Sequence, residues 1–163
     1  MKRLIFCLAC ILLCSCDPIW VFHPPYCNYW WVENDSSQEL VVLVGVSNVK
    51  QSGDVYSFED EYALSKGDSC YVYNNIGKIG EDLSKETLFA LMTANVDYIK
   101  VANADKSIIF REFDINSSNV QHNPYEESSW EYKEFTEQVS EDYYQLFKMW
   151  YYTITDEDLV VAE

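Results

Sequence analysis

Tyr29-Trp30-Trp31-Val32-Glu33, then Asn34-Asp35-Ser36-Ser37, then Glu39-Leu40-Val41-Val42-Leu43-Val44-Gly45: two runs of aromatic and β-branched residues flank a break rich in Asx and Ser. Residues of the first kind fit a pleated, half-buried surface, and those of the second bend the chain by bonding their own backbone. A β-hairpin is therefore predicted over this stretch. Successive strand side chains point to opposite faces, so Trp30 and Val32 share one side and Tyr29 and Trp31 the other. Both sides are apolar, which leaves one of them free to lie outside the core.

The same reading extends along the chain. Ser47 to Asp60 is polar, carries Gly53 and reads as a long loop; Lys66-Gly67-Asp68 reads as a turn and Ser69 to Tyr73 as a strand. Asn74 to Glu81 is a glycine-bearing loop. Ser84 can cap a helix from Lys85 to Asn95, in which Leu88, Leu91 and Met92 recur at helical spacing. Val96 to Val101 and Ser107 to Phe113 form a hairpin through Asn103-Ala104-Asp105-Lys106. Ser128-x-x-Glu131 has the form of a capping box and predicts a short helix through Phe135. Tyr143 to Ile154 reads as a long strand, and Thr155-x-x-Asp158 as a last helical turn. Strands interrupted by one inserted helix, without a βαβ repeat, point to a mainly β fold. An antiparallel β-sandwich of about seven strands fits best, an Ig-like order being one topology for it.

At the N-terminus, Lys2 and Arg3 precede the apolar stretch Leu4 to Leu13, which has the length of a signal h-region and is too short to span a bilayer. Leu13-Cys14-Ser15-Cys16 resembles the lipobox of bacterial lipoproteins. That resemblance implies cleavage before Cys16 and a diacylglycerol, with further acylation of the palmitate type, on it. Two or three acyl chains, at about 0.8 kcal/mol per buried CH2, anchor a protein stably. The expected organisation is a signal peptide over 1–15, a lipidated Cys16 with a proline-containing tether over 16–28, and one domain over 29–163. The cell envelope, with the outer membrane as the expected bilayer, is the implied location; Asp17 after the cysteine leaves the membrane face open.

The chain has 27 acidic and 11 basic residues, and loss of Lys2 and Arg3 with the signal leaves 27 against 9. That charge repels phosphate backbones, so no nucleic-acid partner is expected. Acids crowd the region from Glu126 to Glu163, where the only cations are Lys133 and Lys148; a solvated face explains this, and no calcium loop of the D-x-[DN]-x-[DN]-G form is present. Without the signal, and with Cys16 lipidated, Cys27 and Cys70 remain. They can pair into one disulfide, closing a loop worth roughly 3 to 4 kcal/mol, or Cys70 can be a buried free thiol. No metal site is expected: His23 and Cys27 flank Pro24-Pro25, and His122 is the only other histidine.

Val32-Glu33-Asn34-Asp35-Ser36-Ser37-Gln38-Glu39-Leu40, Glu126-Glu127-Ser128-Ser129-Trp130 and Tyr151-Tyr152-Thr153-Ile154-Thr155-Asp156-Glu157-Asp158-Leu159 resemble segments of small lipoproteins of Bacteroidales-type gut bacteria. The resemblance carries over no catalytic residue. G-x-S-x-G, H-E-x-x-H and S-x-x-K are absent, and Gly77-Lys78-Ile79-Gly80 lacks the spacing of a phosphate loop. No cofactor is expected, and His122 reads as a solvated surface histidine. The expected role is a non-enzymatic, lipid-anchored binding or accessory module whose partner is another envelope protein. A second reading is a glycan-binding module, with Trp30, Trp31, Trp130 and Trp150 as stacking or partner contacts. A third is an acid-pair hydrolase using Glu59 with Glu61, or Asp156 with Asp158.

Overall fold

In the computed structural model, residues 26–51, 54–77, 83–117, 121–141 and 143–160 are described. The expected signal peptide, Cys16 and most of the expected tether lie outside them. Among the described residues eight strands form two four-stranded sheets. We number them β1 (Tyr26–Asn34), β2 (Leu40–Gln51), β3 (Asp54–Leu64), β4 (Ser69–Ile76), β5 (Val96–Asn103), β6 (Ile109–Asp114), β7 (Glu131–Ser140) and β8 (Tyr143–Ile154). Among the described residues one helix, α1 (Lys85–Asn95), joins β4 to β5. The first sheet has the order β4-β1-β8-β7 and the second β3-β2-β5-β6. All pairings are antiparallel except β1 with β8, which run parallel with Trp30 opposite Trp150. The fold is thus the expected β-sandwich, with one strand more than expected. Its order is not that of an Ig constant domain, whose first two strands share a sheet.

The predicted hairpin between the first two strands is not formed: β1 and β2 belong to different sheets. The reason lies in Asn34, a buried residue whose side chain organises a crossover. Its Nδ2 donates to the carbonyls of Gln38 (2.8 Å) and Leu64 (3.0 Å), and its Oδ1 accepts from the Ser36 amide (3.0 Å) and hydroxyl (2.6 Å). The backbone carbonyl of Asn34 accepts from Gly67 at 2.7 Å, and Gly67 takes a φ of +85° that favours glycine. Asp35 is fixed from the far end of the chain, its amide donating to Ile154 O at 2.9 Å. The Asx-rich break thus knots both crossovers, β1 to β2 and β3 to β4, onto the end of β8.

Two further expectations are corrected. Ser47 to Asp60 is not a loop, because β2 runs on to Gln51 and pairs with β3 from Asp54. Ser128-x-x-Glu131 opens no helix beyond the single 3-10 turn Glu127–Ser129; Glu131–Ser140 is the edge strand β7, and the Glu131 carboxylate contacts Lys133 at 3.1 Å. The β5–β6 hairpin, the helix with Ser84 accepting from the Thr87 amide, and the capping box of Thr155 with Asp158 match the reading of the sequence.

The core lies between the sheets. Val32, Leu40, Val42, Ile99, Val101, Phe113 and Ile154 fill it from the strands, and Leu88 and Met92 of α1 enter it from the side. Its centre is aromatic: Trp30 and Trp150 stack with centroids 4.1 Å apart and planes 9° apart, and Trp130 meets Trp30 edge-on at 5.1 Å. Phe89 of α1 closes on both, at 5.6 Å and 5.8 Å.

Candidate functional site

Three of the four tryptophans read as ligand contacts are core residues. Trp30 and Trp150 are 0% exposed and Trp130 is 6% exposed, so no sugar ring or partner can reach their faces. The cause is alternation: Trp30 and Trp150 share one register row on the inner side of the first sheet. Trp130 is held inside by its Nε1, which donates to Pro124 O at 2.7 Å. Only Trp31, which points the other way, stays on the outer side.

Around Trp31 the outer side of the first sheet is built from successive register rows. One row runs Tyr71, Trp31, Tyr151, Glu131; another runs Ile76, Cys27, Phe147, Phe135; Tyr29 and Met149 lie between them. Neighbours touch ring to ring: Trp31 meets Tyr71 edge-on at 5.9 Å and Tyr29 at 6.5 Å, and Phe135 stacks on Phe147 at 5.4 Å. Lys133 lies 4.8 Å over the Tyr151 ring. Tyr71, Phe135 and Ile76 are 47%, 43% and 53% exposed. Trp31 Nε1 is buried among these neighbours without a hydrogen-bond partner.

The outer side of the second sheet is finished differently. Leu43 lies between Glu61 and Lys100 in its row, and Gly45 between Glu59 and Tyr98. The Tyr98 ring lies so close to Gly45 that a Cβ there would meet it at 2.2 Å, and Lys100 covers that ring at 4.4 Å. Tyr98 also donates to Glu59, Lys106 bonds Glu61 at 2.8 Å, and Lys100 bonds Glu112 at 3.2 Å. The bond to Glu59, which is lost when the phenol ionises, helps push the Tyr98 pKa up to about 12. Polar side chains thus cover Leu43, which is only 8% exposed, while Ile109, in the row of Val41 and Ala102, is 41% exposed. One exterior is dressed for water. The other presents bare aromatic and sulfur-bearing groups, the composition that marks interaction surfaces.

Elsewhere a cleft of about 480 Å³ is lined by Arg111, Gln121, His122, Glu126, Ser128, Ser129, Thr155, Glu157 and Asp158. His122, read from sequence as a solvated histidine, is half-buried here. Its Nδ1 lies 2.8 Å from Asp158 Oδ1, and its ring stacks on Tyr152 at 4.5 Å. Asp158 Oδ2 accepts from the Thr155 amide (2.8 Å) and hydroxyl (3.0 Å). The sequence signal that could have found this site is the capping box itself, which fixes one carboxylate oxygen and leaves the other free to turn outward.

No protein-family model, curated protein or solved structure matches the chain. Chemistry must therefore be read from the residues. The carboxylate pairs considered for hydrolysis are bound up locally: Glu59 with Tyr98, Glu61 with Lys106, Asp158 with His122, and Asp156 with the Ser37 amide and hydroxyl at 2.8 Å and 2.9 Å. The Ser37 bonds hold the Asp156 carboxyl below its ordinary pKa. Among the described residues no group of three His, Cys, Asp or Glu could hold a metal ion, and no helix is long and apolar enough to cross a membrane. Cys16 and His23 lie outside the described residues.

Cys27 and Cys70 do not pair; both are free thiols. They sit on adjacent strands, but Cys70 is opposite Val32 and Cys27 opposite Ile76. Five strand residues separate the two rows, roughly 17 Å at 3.4 Å per residue, where a disulfide needs Cα atoms within about 7 Å. Cys27 also faces outward and Cys70 the core. Burial pushes the Cys70 thiol up to about 12, so it carries almost no thiolate at pH 8. Burial also raises the Cys27 pKa, an effect partly offset by a hydrogen bond with Tyr29. In a form of the protein that begins at Asp17, and so holds only Cys27 and Cys70, a thiol reagent at pH 8 is expected to leave Cys70 unlabelled in the native protein and to count two thiols after unfolding in guanidinium. A count of zero after unfolding without reductant would restore the disulfide.

Proposed function

We propose that the chain is a lipid-anchored protein of the cell envelope whose sandwich is a non-catalytic binding module, docking a partner protein through the outer side of the first sheet. The observation that carries this reading is the aromatic and thioether surface of Trp31, Tyr29, Phe147, Met149 and Tyr151, half-buried, beside the exposed Tyr71. Tryptophan, tyrosine, phenylalanine and methionine are the residues enriched at the centres of protein interfaces. The charged and amide groups of the central rows, Asn74, Lys133 and Glu131, stand at the row ends, and Glu33, Ser69 and Thr153 lie in a border row, so the middle of the surface is aromatic and thioether. The formal charge of −16 selects a partner whose apolar centre has a basic rim. The lipobox-like run ending at Cys16 supports the anchor, and β1 starts at Tyr26, ten residues beyond that cysteine.

The test is a photo-crosslinking amino acid placed in living cells at Tyr151 or, as a control on the opposite exterior, at Lys100. A discrete protein adduct is expected from position 151 alone. Trp31→Ala is expected to weaken that adduct about 30-fold, the effect of losing roughly 2 kcal/mol at an interface anchor. Equal adducts from both positions, or adducts indifferent to Trp31→Ala, would reject the docking surface. The anchor is tested separately: a palmitate analogue should label the protein, and Cys16→Ser should abolish the label and release the protein from membranes.

A further inference from the structure

The cleft between β6, the 121–129 segment and the C-terminal turn plays no part in that docking surface, and its charges are arranged unusually. Arg111 is the only arginine besides Arg3 in a chain with 27 acids. Among the described residues it makes no ion pair within 4.0 Å, and its Nε is buried without a hydrogen-bond partner. Carboxylates are nevertheless at hand, because Glu126, Glu157 and Asp158 line the same space. A guanidinium held apart from acids across a shared cleft leaves unmet donors and acceptors open to one occupant.

His122 is fixed to meet that occupant. Its φ of +56° is a left-handed conformation uncommon for a residue other than glycine, and three contacts hold it: the bond to Asp158, the stack on Tyr152, and the Tyr152 hydroxyl donating to His122 O at 2.7 Å. With Nδ1 and one ring face engaged, Nε2 and the opposite face are what the imidazole can offer a ligand.

We propose that this cleft is a binding site for a neutral saccharide. An anion would answer Arg111 but meet three carboxylates and the field of a strongly acidic chain; an ammonium would answer the carboxylates but meet Arg111. A hydroxyl donates and accepts at once, so neighbouring hydroxyls of one sugar ring accept from Arg111 and donate to Glu157 or Glu126 without adding charge. Ser128, Ser129 and Thr155 add small hydroxyl partners along the wall.

The test is calorimetric titration of the full-length, detergent-solubilised protein with maltohexaose, cellohexaose and xylohexaose, with hexagalacturonate as the acidic comparison. At least one neutral hexasaccharide is expected to bind at one site, with an affinity that changes less than twofold between 0.05 and 0.5 M NaCl. Arg111→Gln is expected to weaken it at least tenfold, and Glu157→Gln, at an exposed position that folding does not need, several-fold. Trp31→Ala should leave it unchanged. Absence of binding by all three neutral sugars, preference for hexagalacturonate, or loss on Trp31→Ala with retention in Glu157→Gln would each overturn the proposal. Crosslinking at Tyr151 should be indifferent to Glu157→Gln, so the failure of one site is distinguishable from failure of the other.

Discussion

Trp150→Ala is expected to cost the fold about 3 to 5 kcal/mol, the range for removing a large aromatic from a packed core. The residue is 0% exposed and lies face to face with Trp30, with Tyr132 at 4.7 Å and Phe89 at 5.8 Å. Truncation opens a void bounded by rigid rings from β1, β7 and α1, which have few ways to collapse into it. A polar loss adds to the void. Trp150 Nε1 donates to Asn28 Oδ1 at 3.1 Å, and Asn28 is fully buried with its Nδ2 already unpartnered. Removing the indole strands both ends of that amide. Domains of this size are stable by about 5 to 15 kcal/mol, so the variant should unfold at a much lower urea concentration with an unchanged m-value. Trp31→Ala is the internal comparison, because that ring is half-buried on the outer side, against Tyr29 and Tyr71, and should move the midpoint much less. Equal shifts for the two variants would contradict the division of the sheet into a core side and an open side.

The second large effect is expected at Asn34. Asn34→Ala removes two donors from carbonyls of Gln38 and Leu64 and an acceptor from Ser36 at a site 1% exposed. With an unmet buried polar group costing about 1 to 3 kcal/mol, and some relief from water at the sheet end, a loss of about 2 to 4 kcal/mol is expected. Asn34→Asp keeps the acceptor but points a carboxylate at two carbonyl oxygens, and should be at least as harmful. Equilibrium urea unfolding measures both. The ranking is diagnostic: in a simple hairpin turn Asn34 would be solvent-exposed and aspartate would serve nearly as well as asparagine. A tolerated Asn34→Asp would therefore speak against the crossover.

Much of the sandwich was legible from the residues, and its failures share a cause. β8, α1 and the β5–β6 hairpin announce themselves because one side of each is buried, so apolar residues recur at the period of the element. β7 gives no such signal: it is an edge strand exposed along almost its whole length, and Glu131, Lys133, Glu134 and Glu137 are the charges that keep an edge from pairing with another chain. The same charges mimic a helix start. Asn34-Asp35-Ser36-Ser37 shows that the chain bends but not whether it returns to the same sheet, since that depends on Leu64 and Gly67, partners some thirty residues away. At the candidate site, alternation in Tyr29 to Val32 correctly separated two aromatic sides. It could not say which side faced inward, and Trp130 was beyond its reach because that residue lies just before β7 and is held by Pro124. Arg111 and His122 were invisible as a cleft because the link between β6 and the 121–129 segment runs through Ser117, which bonds Asp114 on one side and Asn123 on the other, with no periodic pattern to mark it.

The parallel pairing of β1 with β8 joins the first strand to the last in the middle of one sheet. A ribosome making this polypeptide must finish nearly all of it before Trp30 can find Trp150. Early segments can build the β2–β3 hairpin, and later β5–β6, but that half-sandwich has no lid. Completion is therefore a late, all-or-nothing event with large loop closures, of the kind that makes assembly slow. Until then the inner side of the second sheet stays uncovered, so the arrival of β8 decides when the two halves can close on each other.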